Sequence, residues 1–395
     1  MSHYPNSTAM KRATWPCWLA VIALGISAFA IVTTELAPIG LLSPLATHFG
    51  LTEAKAGVIV TAYAWVAAVV ALLSATCLGR IPRKPLLIGL MLILALSSFV
   101  AAQGNQFSTL LIARMVGALA HGIFWTVIGA TAAQLVPARQ LGLASSIIFG
   151  GVSAASVIGV PLASMLAQLN GWRSAFMVIA SLSLMTALMI AFAIPNVPAA
   201  ASLGKQALLQ VLRKRALISL YLVTAGAITA HFAAFTYIEP LLVHVVHFPS
   251  SAISAMLLAF GLAGIAGNIL SGKLIDHHLK ALVTTALFVI SLCLLGISTL
   301  PLDGMIVATV VLLTGWGIGI AIVFVGLQTW VLRLAEDAAM PASAIHVAIF
   351  NAAIGTGALL GGSLISHVGL TNMVILMAVV LIFSALSIVL SKDWT

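Results

Sequence analysis

Glu35 is the only formally charged residue between Arg12 and Glu53, in the run VTTELAPIGLL near the far end of a long apolar stretch. A carboxylate is costly in hydrocarbon, so one kept there points to a substrate or ion pathway. Arg114, His121 and Trp125 follow at i, i+7 and i+11. On a helix turning about 100° per residue, these three fall within about 40° of one another, a single stripe. With a guanidinium on it, the stripe reads as a cavity-facing surface; the alternative is core packing for Trp125 and a hydrogen-bonded interior imidazole for His121. Glu35 likewise has two readings, a structural ion pair with Arg114 or a proton site. Burial favours the neutral acid and a neighbouring guanidinium favours the carboxylate, so a group that moves between the two settings can bind and release a proton. An imidazole gains and loses a proton near neutrality, which makes His121 the natural second member of a relay.

Other polar groups sit in apolar runs. The segment Thr229 to Pro240 carries His231, Tyr237 and Glu239, which can hydrogen-bond a polar ligand or stack on it. Asn351 is a lone amide among alanines and glycines, and Tyr63 and Trp65 are either cavity aromatics or part of an interfacial belt. Tyr63, Trp125, His231, Tyr237, Glu239 and Asn351 are therefore the candidate substrate contacts, with helix packing as the alternative and, for Glu239, a place at the outer interface. His244, His247 and His367 fall at loop ends and read as solvated. Cys17, Cys77 and Cys293 lie far apart in apolar runs, which suits buried thiols and excludes a disulfide framework or a metal site. Glycines cluster at 315/317/319, 261/264/267 and 355/357/361, where small residues permit close helix approach. None follows a strand, and no phosphate-binding, H-E-x-x-H or G-x-S-x-G pattern occurs. No enzymatic activity and no cofactor are expected.

The elements that must position these groups follow from composition. The chain has 395 residues, 62% hydrophobic and 6% charged; an ordinary soluble domain is about a quarter charged. Backbone groups in lipid must be paired internally, leaving helices or a closed barrel. The apolar runs are about twenty residues long and do not alternate, so they are helices. Twelve are expected, near 17–43, 57–78, 85–103, 108–134, 142–168, 174–194, 217–245, 251–274, 281–299, 304–332, 342–366 and 370–390. The first is not read as a cleaved leader, because it runs on past the Ala28-Phe29-Ala30 site.

With both termini placed in the cytoplasm, that side holds Lys11, Arg12, Arg80, Arg83, Lys84, Arg139, Lys205, Arg213, Lys214, Arg215, Lys273, Lys280, Arg333 and Lys392. The outer side holds Lys55 and Arg173. This bias of fourteen to two satisfies the positive-inside rule. The net charge of +9 is thus a topology signal and not a nucleic-acid footprint. The longest polar stretch divides six spans from six, giving bundles over 1–196 and 216–395 and a cytoplasmic linker over 197–215. Thr34-Glu35 before Pro38 and Ile238-Glu239 before Pro240 form a weak internal echo, each proline late in a long helix where the chain can bend or unwind.

The chain resembles the major facilitator superfamily over nearly its whole length. Within it, it is similar to the drug:proton antiporter branch, above all to bacterial sugar efflux transporters that export arabinose and isopropyl thiogalactoside. The resemblance rests on Thr33-Thr34-Glu35 with Pro38-Ile-Gly-Leu-Leu, Tyr63-Ala-Trp65-Val66, Ala120-His121-Gly-Ile-Phe124-Trp125, Thr229-Ala230-His231, Tyr237-Ile238-Glu239-Pro240 and Phe350-Asn351. Arg114 matches the family's span-four arginine, and Gly159-Val160-Pro161 stands where its antiporters have Gly-Pro. The family's loop motif G-x-x-x-D-R-x-G-R-K is Ala75-Thr-Cys-Leu-Gly79-Arg80-Ile-Pro82-Arg83-Lys84 here, without the acid and both glycines; Gly272-Lys-Leu-Ile-Asp276 keeps glycine and acid in the second half.

The resemblance implies an all-α membrane protein of two pseudo-symmetric six-helix bundles in a bacterial inner membrane. It implies proton-driven efflux of sugars or sugar-like solutes by alternating access, with proton coupling through Glu35, His121 and Arg114 and gating at Arg83 and Asp276. Expected partners are protons, a small sugar or glycoside and the bilayer, with no nucleic acid; a monomer suffices. An exporter of lipophilic drugs is the second reading.

Overall fold

The computed structural model describes residues 15–77, 81–137, 140–199, 204–300, 302 and 305–391. Lys11, Arg12, Gly79, Arg80, Arg139 and Lys392, part of the charge and loop readings above, lie outside the described residues. All regular structure among the described residues is helical. The first span is longer and less regular than its expected 17–43. It comprises α1 (Trp15–Leu36), a 3-10 turn (Ala37–Leu41) and α2 (Leu42–Phe49). After α3 (Glu53–Ala56) come α4 (Val58–Cys77), α5 (Arg83–Gln103) and α6 (Phe107–Leu135). The fifth span is α7 (Leu141–Ala154), a π-turn (Ala155–Gly159) and α8 (Val160–Asn170); α9 (Trp172–Ala193) is the sixth.

A short helix, α10 (Lys205–Val211), lies in the polar connection. The seventh span, expected as one helix over 217–245, is broken into α11 (Arg215–Phe235) and α12 (Ile238–His244). α13 (Ser250–Thr299), α14 (Ile306–Ala335), α15 (Ala339–Val368) and α16 (Leu370–Leu390) follow.

Three departures from a plain helix have a proline beside them. Pro38 opens the 3-10 turn, Pro161 follows the π-turn, and Pro240 sits in the first turn of α12. Proline lacks the N–H that the carbonyl four residues earlier needs, so the preceding turn opens or rewinds.

Among the described residues, eleven helical stretches are long and apolar enough to cross a bilayer, one of them 49 residues long at Ser251–Thr299. At 1.5 Å per residue that stretch would reach about 74 Å, more than twice a hydrocarbon core. It is two spans: His278 has non-helical φ −132° and ψ 29°, and the packing on α14 reverses there. Before the break, Gly264 faces Gly317 and Ala321, and Gly267 lies against Ile318 and Ala321, so chain and partner advance together. After it, Val283 meets Gly326, Ile290 meets Gly319 and Cys293 meets Gly315, so they run opposite ways. The expected spans eight and nine are therefore the two arms of α13.

The glycine clusters lie where helices approach closely. A Cβ on Gly317 would strike the Phe260 carbonyl, one on Gly357 would reach the Thr229 carbonyl at 2.5 Å, and one on Gly151 would collide with the Gly25 carbonyl. Of the thiols, Cys293 is buried, but Cys17 is only half-buried because it lies in the first turn of α1.

The spans before and after the polar connection meet along a seam that begins at the end bearing α2, α3 and α12. There Gly362 lies against Ala54 and the Tyr237 hydroxyl, and Gly355 against Trp65 and the Thr61 carbonyl. Trp65 donates to Thr356 at 3.3 Å, and Ser254 on α13 donates to Ser164 on α8 at 3.1 Å. Towards the opposite end the same faces part. Val69, four residues beyond Trp65, is 58% exposed, and Phe149, eight residues before the seam residue Val157, is 57% exposed.

Candidate proton and substrate site

The site is built around a defect in α1. The Thr34 carbonyl would normally pair with the amide of residue 38, but that residue is proline. Arg114 on α6 supplies the missing donor: its Nη1 donates to the Thr34 carbonyl at 2.6 Å and its Nη2 to the Glu35 carbonyl at 3.4 Å. The guanidinium lies over the Tyr63 ring at 4.2 Å, with the Phe176 ring 6.0 Å away, and is 1% exposed. A cation held over an aromatic face and bonded to carbonyls is well placed for a buried site.

This corrects one sequence expectation. Arg114 does not grip the Glu35 carboxylate; among the described residues no side-chain ion pair joins them. The carboxylate turns instead to His121, with Oε2 3.9 Å from Nε2, and its Oε1 has no hydrogen-bond partner. Glu35 is 9% exposed and His121 1% exposed.

Trp125 completes the stripe one turn further on. Its indole Nε1 donates to His121 Nε2 at 3.1 Å. Indole nitrogen is only a donor, so Nε2 is the unprotonated atom of the ring and the imidazole proton is on Nδ1. That Nδ1 has no partner, and the ring meets the Tyr63 edge at 5.4 Å. Tyr63 is buried, with its hydroxyl also unpartnered. Trp125 is half-buried and stacks on Phe149 at 6.3 Å, at the border where the two sets of spans part. Glu35, Arg114, Tyr63, His121 and Trp125 are thus one connected group.

The other candidates are not part of it. His231 accepts a hydrogen bond from Trp316 Nε1 at its Nδ1, at 3.1 Å, and stacks on Phe235 at 5.2 Å. The buried Phe232 and Phe260 and the half-buried Phe324 and Phe350 extend this aromatic group. Asn351 donates to the Val347 carbonyl at 2.9 Å on its own helix, leaving its Oδ1 unpartnered.

Tyr237 and Glu239 lie in the seam. The Tyr237 hydroxyl donates to the Ala358 carbonyl at 2.9 Å. Glu239 Oε2 accepts from the Ser43 amide at 3.0 Å and hydroxyl at 2.5 Å, tying α12 to α2. The same hydroxyl is 2.6 Å from Glu53, which also contacts His244 at 3.2 Å. His244 therefore has a carboxylate neighbour and is not merely solvated.

At the other end Asp276 pairs with Arg333 at 2.8 Å, and the buried Arg83 donates its amide to the Val197 carbonyl at 3.0 Å. Sequence reasoning passed over Ser43, Trp316 and His346. Ser43 and Trp316 take their roles from partners 196 and 85 residues away, for which no local signal exists. His346, 3% exposed with Nδ1 unpartnered, is legible as an imidazole in an apolar run.

The profile of the Major Facilitator Superfamily matches residues 21–345. Solved structures agree in fold. A bacterial homolog of the human lysosomal transporter Spinster, described as inward-facing and unoccupied, matches with TM-score 0.74 at 14% identity, covering 95% of this chain and 97% of that one. The human organic anion transporter MFSD10 (TETRAN) matches with TM-score 0.67 at 18% identity, covering 94% and 98%. The chain belongs to the Major Facilitator Superfamily and is a multi-pass secondary transporter of small molecules, not an enzyme.

Proposed function

We propose that this member of the superfamily is a proton-coupled exporter of sugars or sugar-like small solutes, working by alternating access across a bacterial inner membrane. The reading divides the chain into moving bundles over 1–196 and 216–395. It places the 197–215 linker and both termini in the cytoplasm, following the bias of Lys and Arg. The seam at α2, α3 and α12 is then the closed outer side, and the parted faces open inward.

One observation carries the coupling role. Glu35 is a buried carboxylate with one oxygen unpartnered and the other 3.9 Å from an imidazole that is tied, in turn, to an indole at the opening. A proton on Glu35 neutralises it; substrate at Trp125 works on the same group from the other end. Each ligand then alters the affinity for the other, and the effect is reciprocal. Arg114 positions Glu35 through its backbone, and Tyr63 holds Arg114. Trp125, His231 and Asn351 are the substrate contacts in this reading, and Tyr237 and Glu239 reach a substrate only when the outer seam opens. Arg83 and Asp276 act at the inner gate, where Asp276 would exchange Arg333 for the first bundle when that side closes.

Glu35→Gln should abolish uphill transport of isopropyl thiogalactoside in proteoliposomes under an imposed pH gradient, while passive counterflow persists. Wild-type uphill transport by that variant removes Glu35 from the coupling. The aromatic pair Trp125–Phe149 favours a second reading, an exporter of lipophilic drugs. Counterflow of a lipophilic cationic dye without counterflow of the glycoside would decide for it.

A further inference from the structure

The Trp125 indole occupies the one atom through which His121 can take a proton from Glu35. His121 Nε2 is 3.1 Å from the indole nitrogen and 3.9 Å from Glu35 Oε2. Its lone pair is used by the indole N–H, and its own ring proton is on Nδ1. The ionisable groups facing this ring are Glu35 from α1, Tyr63 from α4 and Arg114 from its own helix. α7 contributes the neutral Phe149, against Trp125. Tyr63 presents a ring edge and Arg114 is bonded to carbonyls, which leaves Glu35 as the acid in reach.

We propose that Trp125 is a positioning residue that locks His121 in its Nδ1–H tautomer, and that substrate opens the lock by drawing the indole away. This rests on the proton-coupled reading above and adds the step that links the two ligands. With the indole withdrawn, Nε2 accepts the proton of the Glu35 carboxylic acid, giving a carboxylate and an imidazolium. The imidazolium then releases that proton from Nε2 to water on the open side, and the returning indole restores the starting tautomer. Without substrate the lock stays shut, so the gradient does not leak through Glu35. The second bundle supplies a contrast. Trp316 also donates its indole N–H to an imidazole, but to Nδ1 of His231, which fixes the opposite, Nε2–H, tautomer. That pair is enclosed by aromatic rings, and no acid pairs with His231 among the described residues. With no acid beside it, that imidazole has no proton to pass on.

The test begins on substrate-free protein, so it is independent of which solute is exported. In wild-type protein with ¹⁵N-labelled histidine, His121, assigned by comparison with His121→Gln, should show a protonated Nδ1 and an unprotonated Nε2. An Nε2–H tautomer overturns the proposal, whatever the variants do. In proteoliposomes without substrate, Trp125→Phe keeps the ring but loses the N–H, and should speed the collapse of an imposed pH gradient at least several-fold. Adding Glu35→Gln should return the rate to that of wild type. Trp125→Gln, which keeps an N–H donor at i+4, should leak less than Trp125→Phe. Collapse of Trp125→Phe vesicles at the wild-type rate, or an extra leak that survives Glu35→Gln, overturns it. Failure of uphill glycoside transport with the tautomer and leak results intact would strike the substrate reading alone.

Discussion

At the scale of single residues, Arg114 turns out to be a backbone group as much as a charge. It fills the donor place that Pro38 leaves empty below the Thr34 carbonyl, and so fixes the turn from which the Glu35 side chain emerges. The two residues should therefore be energetically coupled. Arg114→Met alone leaves that carbonyl unpaired and should cost about 2–4 kcal/mol of stability. Pro38→Ala restores an amide at the right spacing, so in that background the same change should cost about 1–2 kcal/mol less. A double-mutant cycle on unfolding in detergent measures the difference, and strict additivity would mean the guanidinium and the proline act separately. The sequence pattern pointed to Arg114 and Glu35 together, because a charged pair in apolar runs is conspicuous. It misled about the contact, since the eye pairs side chains and the missing N–H of a proline four residues on is invisible in composition.

At the scale of elements, helix approach is set by where side chains are absent. A Cβ on Gly151 would collide with the Gly25 carbonyl, whereas one on Gly150 meets nothing within 4 Å. Gly151→Val must push α7 off α1 at Gly25 and should cost about 1–3 kcal/mol. Gly150→Ala should be neutral or slightly stabilising, because alanine suits a helix better than glycine. Thermal midpoints of the two purified variants compare them directly, and equal shifts would remove the crossing from the account. Runs of apolar residues and the spacing of charges were enough to place the spans, since both follow from the bilayer. The breaks were partly legible: Pro38 and Pro240 marked bends, but the rewinding at Ala155–Gly159 and the reversal at His278 depend on packing partners. The seam role of Glu239 was equally hidden, because Ser43 is 196 residues away in sequence.

At the scale of the whole molecule, alternating access requires the seam to open and close, and one contact offers a clean way to stop it. Ser254 Oγ lies 3.1 Å from Ser164 Oγ, joining α13 to α8 near the end that we assign to the outside. Both side chains are short, and small residues permit the close crossing, with Gly261 packed on Val157 two turns away. Cysteines at these two positions place sulfur atoms near bonding distance without moving either helix. Oxidised Ser164→Cys/Ser254→Cys protein should be held closed at this end. It should lose transport and keep cytoplasmic accessibility of a cysteine placed at Phe149, and reduction should restore turnover. Each single variant should transport under both conditions, which separates the cross-link from the substitutions. If the oxidised pair transports at the reduced rate, the two bundles do not part along α8 and α13. The pivot would then lie elsewhere, and the assignment of this seam as the outer gate would fall with it.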